Sequence, residues 1–406
     1  MSLRDLFDRS GGLTRRRFVA GGAAAGAAVA AITLVGCSGT DKKSSDGEPQ
    51  VVTDSSKVVS VLDDYASKDL GVNAAQTWTL PLGTLLWHCE GSWAAAMLTP
   101  ESSVHPNTLG TLSLGDGTLS TLIGAPTLGN AYSFFDVRMG DGVYAWVEID
   151  YGSLSWTLFA RPWSAGSFTG DAVKLDQGNK DWDPPRFTCT GSSVIWLKMP
   201  ATSGSKTSQS STCYLWKVGD SQGKGLLESP GRFATAPRVA NETLTVTPRV
   251  RADEGTYYGM TALDLKADAH TQLDQLVLPS GVSPLEAVYT GKEFVFCIEA
   301  TYDAAGSLGQ MGTFVGREGG PYVYFGREPI AQPVFNGAKF MVKTQSAHYA
   351  FDTEAKTYQG VSSPDRSLGM GDMTASEGQV SQALVYATIR DSQGIPASVT
   401  ARLMAL

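Results

Sequence analysis

The chain has 406 residues, of which 42% are hydrophobic and 18% are charged, and it contains 45 glycines. This composition is typical of a globular protein and excludes a disordered or fibrous one. The net charge of −8 argues against a nucleic-acid-binding protein that neutralises phosphates. Abundant glycine with little charge favours strands joined by tight turns, so an all-β fold is expected.

Residues 1–36 have the features of an export signal. Arg15 and Arg16 lie just ahead of Phe18, and a charge-free run dominated by Ala and Gly occupies residues 19–36. This order resembles the twin-arginine export signal, in which a receptor recognises the paired arginines ahead of a weakly apolar segment. The resemblance implies that the body of the protein lies outside the cytoplasm.

A second motif follows at the end of the apolar run. Leu34-Val35-Gly36-Cys37 resembles a lipobox, which implies cleavage before Cys37 and acylation of that cysteine. Together the two motifs resemble those of bacterial lipoproteins exported by the twin-arginine route, held in the cell membrane by a lipid on the extracytoplasmic face. The alternative is that the apolar run is retained as a membrane-spanning anchor.

The next segment, residues 37–56, is polar and lacks apolar periodicity, so it is expected to be a flexible tether. The folded body is then expected to span residues 57–406. Within it, small turn residues recur at a period of about 50 residues, shortening towards the C-terminus. These residues are Gly91, Asp141, Gly191, Asn241, Gly291, Gly337 and Gly378.

A strongly apolar run follows most of these turns, as in Val143–Val147 and Phe294–Ile298. Uninterrupted apolar runs indicate strands covered on both faces, which requires sheets packed face to face. A second turn series out of phase with the first indicates about four strands per period.

Four-stranded sheets at this period predict a β-propeller, with seven four-stranded blades counted from the turns. The last blade lacks one strand, which Thr77–Leu80 is expected to supply, closing the ring and removing an open sheet edge. Two stacked β-sandwiches are the alternative all-β fold.

The remaining cysteines, Cys89, Cys189, Cys213 and Cys297, lie in or beside apolar strands, so unpaired core thiols are expected. A Cys189–Cys213 disulfide is the alternative, because export would permit one. There is no Cys-x-x-Cys and the four histidines are scattered, so no metal site is predicted. No cofactor is expected either.

One apparent catalytic motif is explained by turn chemistry. Residues 219–223 match the G-x-S-x-G pattern of serine hydrolases. The following residues resemble a glycine-interrupted strand and not the helix that the nucleophile elbow requires. No serine hydrolase is predicted.

Charged and aromatic residues at or near the strand entries form the candidate ligand face, because these entries lie beside the channel in a propeller. These residues are Asp136, Arg138, Trp182, Asp183, Arg186, Arg238 and Glu286. A solvated surface or internal ion pairs are the alternative for each of them. The expected function is binding of a protein, peptide or glycan partner without catalysis.

The alternative function is a polysaccharide hydrolase or lyase whose carboxylates surround the channel. Asp136, Asp183 and Glu286 are the candidates for such catalytic groups. Two carboxylates about 5 to 10 Å apart across a deep channel mouth would favour the enzyme. Dispersed charges over a plugged channel would favour binding.

Overall fold

Strands form most of the secondary structure. The computed structural model describes residues 57–100, 102, 104–251, 255–266, 270–345, 347–361 and 372–406. The predicted export signal with Arg15, Arg16 and Phe18, the lipidation site Cys37 and the tether lie outside these residues. No helix in the described part of the chain is long and apolar enough to cross a membrane.

The apolar runs of the sequence are the central strands of the sheets. All residues from Val143 to Ile149 are buried, as are all five residues of Phe294–Ile298. Burial of consecutive residues means that both faces of a strand are covered, because side chains alternate between the faces. The expectation of sheets packed face to face is confirmed.

The described strands form seven sheets, numbered here in chain order, and the first four follow one another directly. Sheet 1 consists of Leu85–Trp87, Trp93–Leu98, Thr108–Ser113 and Leu119–Ile123. Sheet 2 consists of Ser133–Met139, Val143–Asp150, Ser155–Ser164, Ser167–Phe168 and Val173–Gly178. Sheet 3 consists of Arg186–Thr190, Ser193–Lys198, Ser211–Lys217 and Lys224–Ser229. Sheet 4 consists of Arg238–Ala240, Thr243–Val246, Arg249–Val250, Tyr257–Asp264 and Gln272–Val277.

The last three sheets also include strands from the N-terminal end of the body. Sheet 5 consists of Val58–Ser60, Glu286–Tyr289, Phe294–Ile298, Gly312–Gly316 and Tyr322–Phe325. Sheet 6 consists of Ala66–Ser67, Val334–Asn336, Lys339–Lys343, His348–Asp352, Thr357–Val361 and Gly378–Gln379. Sheet 7 consists of Ala74–Leu80, Asp372–Thr374, Gln382–Arg390 and Pro396–Ala405. A short α-helix, Val61–Asp64, and a 3₁₀ segment, Asp303–Gly309, complete the described elements.

The sheets pack against one another in chain order. Seven clusters of buried side chains each join two consecutive sheets, and one of them joins sheet 7 to sheet 1 through residues such as Leu384 and Leu86. The first strands of neighbouring sheets lie against one another, as Ser133–Met139 does against Arg186–Thr190. The sheets therefore surround a central space, here called the channel, and the fold is an all-β propeller.

The N-terminal segment (57–80) runs along the outer edges of three consecutive sheets. Val58–Ser60 pairs in parallel with sheet 5 and Ala66–Ser67 pairs in parallel with sheet 6. Ala74–Leu80 pairs antiparallel with the strand Pro396–Ala405 of sheet 7. This pairing confirms the prediction that Thr77–Leu80 joins the last sheet. The added outer strand removes an open sheet edge.

The expectation of four strands in every sheet is too simple. Sheets 5 and 6 gain strands from the N-terminal segment, and sheets 2 and 4 gain short extra strands of their own. These additions are invisible to a turn count, since two- and three-residue strands need no separate periodic turn. The four described cysteines are free and buried, as core thiols are.

Candidate functional site in the channel

Five of the predicted ligand-face residues lie on first strands. Asp136 and Arg138 belong to sheet 2, Arg186 opens sheet 3, Arg238 opens sheet 4 and Glu286 opens sheet 5. Because the first strands surround the channel, the four sheets bring these charged side chains to the channel.

A further segment, here called the central segment (375–379), occupies the channel between sheets 6 and 1. The amide of His88 donates to Ala375 O (2.9 Å), and the amide of Glu377 donates to His88 O (3.1 Å). Residues 378–379 then pair in parallel with Val334–Phe335 of sheet 6. The segment therefore leaves sheet 7 and brings Glu377 into the middle of the ring.

Gly378 permits this path. Its φ of 71° is in the left-handed region, and a Cβ atom there would lie 2.5 Å from the carbonyl oxygen of Val239 in sheet 4. Only glycine tolerates both the conformation and this approach of two backbones.

Glu377 is the hub of a set of charged groups, here called the channel ion network: Asp136, Arg138, Arg238, Glu286 and Glu377. Arg238 donates from Nε to Glu286 Oε2 (3.0 Å) and from its terminal nitrogens to both Glu286 and Glu377. The Nε atom of Arg138 lies 3.6 Å from Glu377 Oε1. A terminal nitrogen of Arg138 donates to Asp136 Oδ1.

Burial makes these pairs strong. The side chains of Glu377 and Arg238 are only 5% and 8% exposed. Burial opposes the ionisation of Glu377, but the guanidinium groups of Arg238 and Arg138 outweigh it and hold the pKa of the carboxyl below its usual range. Burial also opposes the charge of Arg238, but Glu286 and Glu377 outweigh it and raise the pKa of the guanidinium.

The carboxyl of Asp136 behaves differently. Its burial raises the pKa despite the neighbouring Arg138. Even so, the carboxyls of Asp136, Glu286 and Glu377 each bond a guanidinium group and lie within the channel. This arrangement links sheets 2, 4 and 5 to the central segment.

The other predicted residues form a separate group. Asp183 Oδ2 accepts a hydrogen bond from Arg232 (2.6 Å). The ammonium groups of Lys198 and Lys206 lie 5.4 and 5.2 Å from the centre of the Trp182 ring. The seven predicted residues therefore do not form one open face, and their role in ligand binding stays a prediction.

Arg186 lies between these groups. It donates to Ala234 O (2.9 Å), and burial lowers the pKa of its guanidinium. Glu286 and Asp183 both act electrostatically on it. Arg186 therefore interacts electrostatically with both groups, whereas its hydrogen bond is to the backbone of Ala234.

A cavity of about 230 Å³ lies at the end of the channel where the first strands finish. Its lining comes from strand ends and turns of sheets 1, 3 and 4 and from the central segment. The residues are Cys89, Glu90, Thr188, Cys189, Thr190, Val239, Ala240, Asn241, Glu242, Glu377 and Gln379. Glu377 is thus shared by the cavity and the channel ion network.

The inner wall of the cavity is a chain of hydrogen bonds. Thr188 Oγ1 donates to Cys89 Sγ (3.7 Å), and Cys89 Sγ donates to Glu377 Oε1 (3.0 Å). Burial raises the pKa of the Cys89 and Cys189 thiols, so both are protonated at neutral pH. Protonated thiols are poor nucleophiles and poor metal ligands.

Glu90 also lines the cavity and ties three sheets together. Its Oε2 atom accepts a hydrogen bond from the hydroxyl of Thr190 (2.9 Å). Its Oε1 atom accepts from the backbone amides of Asp141 (3.0 Å) and Gly191. All its donors are electrically neutral.

Sequence reasoning missed Glu90 and Glu377 as site residues. Each directly precedes a periodic turn glycine, Gly91 or Gly378, as Thr190 precedes Gly191. Thr190 ends the first strand of sheet 3, whereas Glu90 and Glu377 come three residues after the first strands of sheets 1 and 7, so the position before a periodic turn was the available signal. In the described ranges, no group of three or more His, Cys, Asp or Glu side chains is arranged to hold a metal ion.

Comparison with known proteins establishes the fold and no closer relationship. No protein-family model and no curated protein matches the chain. The β-propeller domain of the Trilobed protease from Pyrococcus furiosus matches with a TM-score of 0.51 and 9% identity, over 81% of this chain and 94% of that one. A prolyl endopeptidase structure matches with a TM-score of 0.53 and 12% identity, over 80% of this chain and 47% of that one. The chain spans about half the length of that endopeptidase.

Proposed function

We propose that this chain is a non-catalytic β-propeller that binds a protein or peptide partner at the end of the channel containing the cavity. The observation that supports this function is the contrast between the saturated carboxylates of the channel ion network and the accessible, polar cavity next to them. A hydrolase or lyase needs carboxylates that reach the substrate. The carboxylates of the network are instead bonded to Arg138 and Arg238.

A peptide partner is favoured over a glycan. Sugar rings bind by stacking on open aromatic faces, and Trp182 was the candidate for such a surface. Lys198 and Lys206 lie over its ring and occupy that surface. The cavity, by contrast, is lined by hydroxyl, carboxylate and amide groups that can hydrogen-bond a peptide.

The proposal includes location and ring size. We place the body on the extracytoplasmic face of the cell membrane, anchored through a lipid on Cys37, because of the sequence motifs in residues 1–37. The seven sheets, each packed against the next, support a ring of seven blades.

Arg15→Lys with Arg16→Lys should block export, and Cys37→Ala should release the body from membrane fractions. A Cys37→Ala protein still held in the membrane would point to an uncleaved anchor.

The partner proposal is tested by capture from detergent-solubilised membranes. Gln379 is an exposed residue at the cavity mouth, and Gln379→Trp would obstruct it. Gln393, exposed on the hairpin turn between two strands of sheet 7, provides the matched control Gln393→Trp. Wild type and Gln393→Trp should capture the same partner, and Gln379→Trp should lose it. Equal capture by Gln379→Trp, or cleavage of a glycan by the purified protein, would contradict the proposal.

A further inference from the structure

The hydrogen atoms of the cavity hydroxyls are already committed. Thr188 directs its proton to Cys89 Sγ, and Thr190 directs its proton to Glu90 Oε2. A hydroxyl oxygen has two lone pairs in addition to its proton. Both threonines therefore present only acceptor capacity to a ligand in the cavity.

The charges around the cavity also favour a ligand that donates hydrogen bonds. No lysine or arginine is among its lining residues. Glu377 is balanced by Arg138 and Arg238, and Glu242 pairs with Lys266 at the exposed rim (2.9 Å). Glu90 accepts hydrogen bonds only from two amides and a hydroxyl, so its negative charge is balanced by no ion pair among the described residues.

The size of the cavity restricts the ligand. Its 230 Å³ is below the 300 to 1,000 Å³ typical of drug-sized sites. This space suits one side chain or one small molecule. A compact group with several donors and no acceptor matches the two threonine oxygens and the Glu90 carboxylate.

We propose that the cavity binds a primary ammonium group, carried by a lysine side chain of a partner or by a small free amine. An ammonium is a compact point charge with three donors, whereas a guanidinium is a wide planar fork with five. The inference deepens the proposed function and rests on it for the peptide source of the group.

Isothermal titration calorimetry of the full-length protein in detergent tests the proposal. The probes are acetyl-Gly-Lys-Gly-amide and n-butylammonium chloride, with acetyl-Gly-Gln-Gly-amide and acetyl-Gly-Arg-Gly-amide as comparisons. We expect binding of at least one ammonium probe and none of the glutamine peptide. Binding of the lysine peptide alone identifies a peptide source, and binding of butylammonium alone identifies a free amine.

Variants identify the acceptor. Thr188→Val removes the hydroxyl and should weaken ammonium binding at least about tenfold, since a hydrogen bond to a charged group is stronger than one between neutral groups. Thr188→Ser should retain binding. Thr313→Val is the matched control, because Thr313 is equally buried and bonds Cys297 (3.4 Å) in sheet 5, away from the cavity. If Thr188→Val does not fold, Thr190→Val provides the same measurement.

Three results would overturn the assignment: no binding of either ammonium probe, tighter binding of the arginine peptide than of the lysine peptide, or equal weakening by Thr188→Val and Thr313→Val. Failure here is distinct from failure of the proposed function. Partner capture that depends on Gln379 without ammonium binding would remove only the ammonium assignment. Ammonium binding without any captured partner would keep the site and remove the partner.

Discussion

The outer edge of the ring and its centre are stabilised by different physical interactions. At the edge, the N-terminal segment adds backbone ladders to sheets 5, 6 and 7 and buries Val61, Tyr65, Val72 and Leu80. At the centre, Glu377 joins sheets through guanidinium groups. Apolar burial and backbone pairing depend little on pH or salt, whereas charged pairs depend on ionisation.

The outer edge and the channel have different structural requirements. An outer strand needs only hydrogen-bonding partners and apolar contacts, and a long segment can supply them across several sheets. At the channel, several first strands converge and leave little space, so a few charged side chains of opposite sign fill it and link sheets that are not neighbours.

Removing the N-terminal segment should have the largest effect. A body of residues 81–406 loses the outer strand of sheet 7 and four buried side chains, each worth about 1.5 to 3 kcal/mol. The loss of about 6 kcal/mol or more is comparable to the total stability of a typical domain. We expect no cooperative thermal transition by circular dichroism, against a clear one for residues 57–406. An unchanged melting temperature would contradict the role of this segment in closing the ring.

Glu377→Gln should have the next largest effect. Removing one charge from a buried pair typically costs about 3 to 5 kcal/mol, and we expect the lower end here because Arg238 keeps Glu286 and Arg138 keeps Asp136 as partners. We expect a free energy of unfolding lower by about 3 kcal/mol at pH 7, measured by urea denaturation.

The same variant tests the pH dependence. Because the folded pKa of Glu377 is lowered, its ionised form stabilises the fold fully above the unfolded pKa, about 4.3 for glutamate. That stabilisation is lost as the pH falls through the lower, folded pKa. The difference between wild type and Glu377→Gln should therefore be constant above about pH 5 and shrink in more acidic solution. A difference that grows with acid would contradict the assignment.

Val61→Ala examines the outer edge alone and should have a moderate effect. Val61 is fully buried between the N-terminal helix and sheets 5 and 6. Deleting two buried methyl groups should cost about 1 to 2 kcal/mol. In contrast to Glu377→Gln, the loss should be the same at pH 4 and pH 8. A pH-dependent loss would mean that the two regions are coupled.

Lys266→Ala should have the smallest effect. Lys266 and Glu242 form an ion pair in which both side chains are more than 60% exposed. Solvent and salt screen such pairs, so removing one partner should leave the melting temperature unchanged within error. A marked decrease would show that exposed charges stabilise this ring as the buried ones do.

Much of the fold could be predicted from the sequence because it depends on local signals. The apolar runs that follow the periodic turns, such as Val143–Val147 after Asp141, have the length and apolar character of central strands. Thr77–Leu80 was predicted as a strand because the last sheet lacked one. The strands Val58–Ser60 and Ala66–Ser67 were not predicted. Each pairs with a strand more than 250 residues away, and such short segments carry no periodicity of their own.

The site was predicted only in part. The sequence alone indicated that Arg238 and Glu286 lie at strand entries and that Asp136 and Arg138 lie at a comparable place, so all four were expected near the channel mouth. The tertiary structure decided that these side chains pair with one another, through Glu377, and that the accessible cavity lies at the other ends of the strands beside Glu90. Strand propensity and turn chemistry are properties of neighbouring residues, whereas the pairing of charges depends on distances between sheets, which only the closed ring sets.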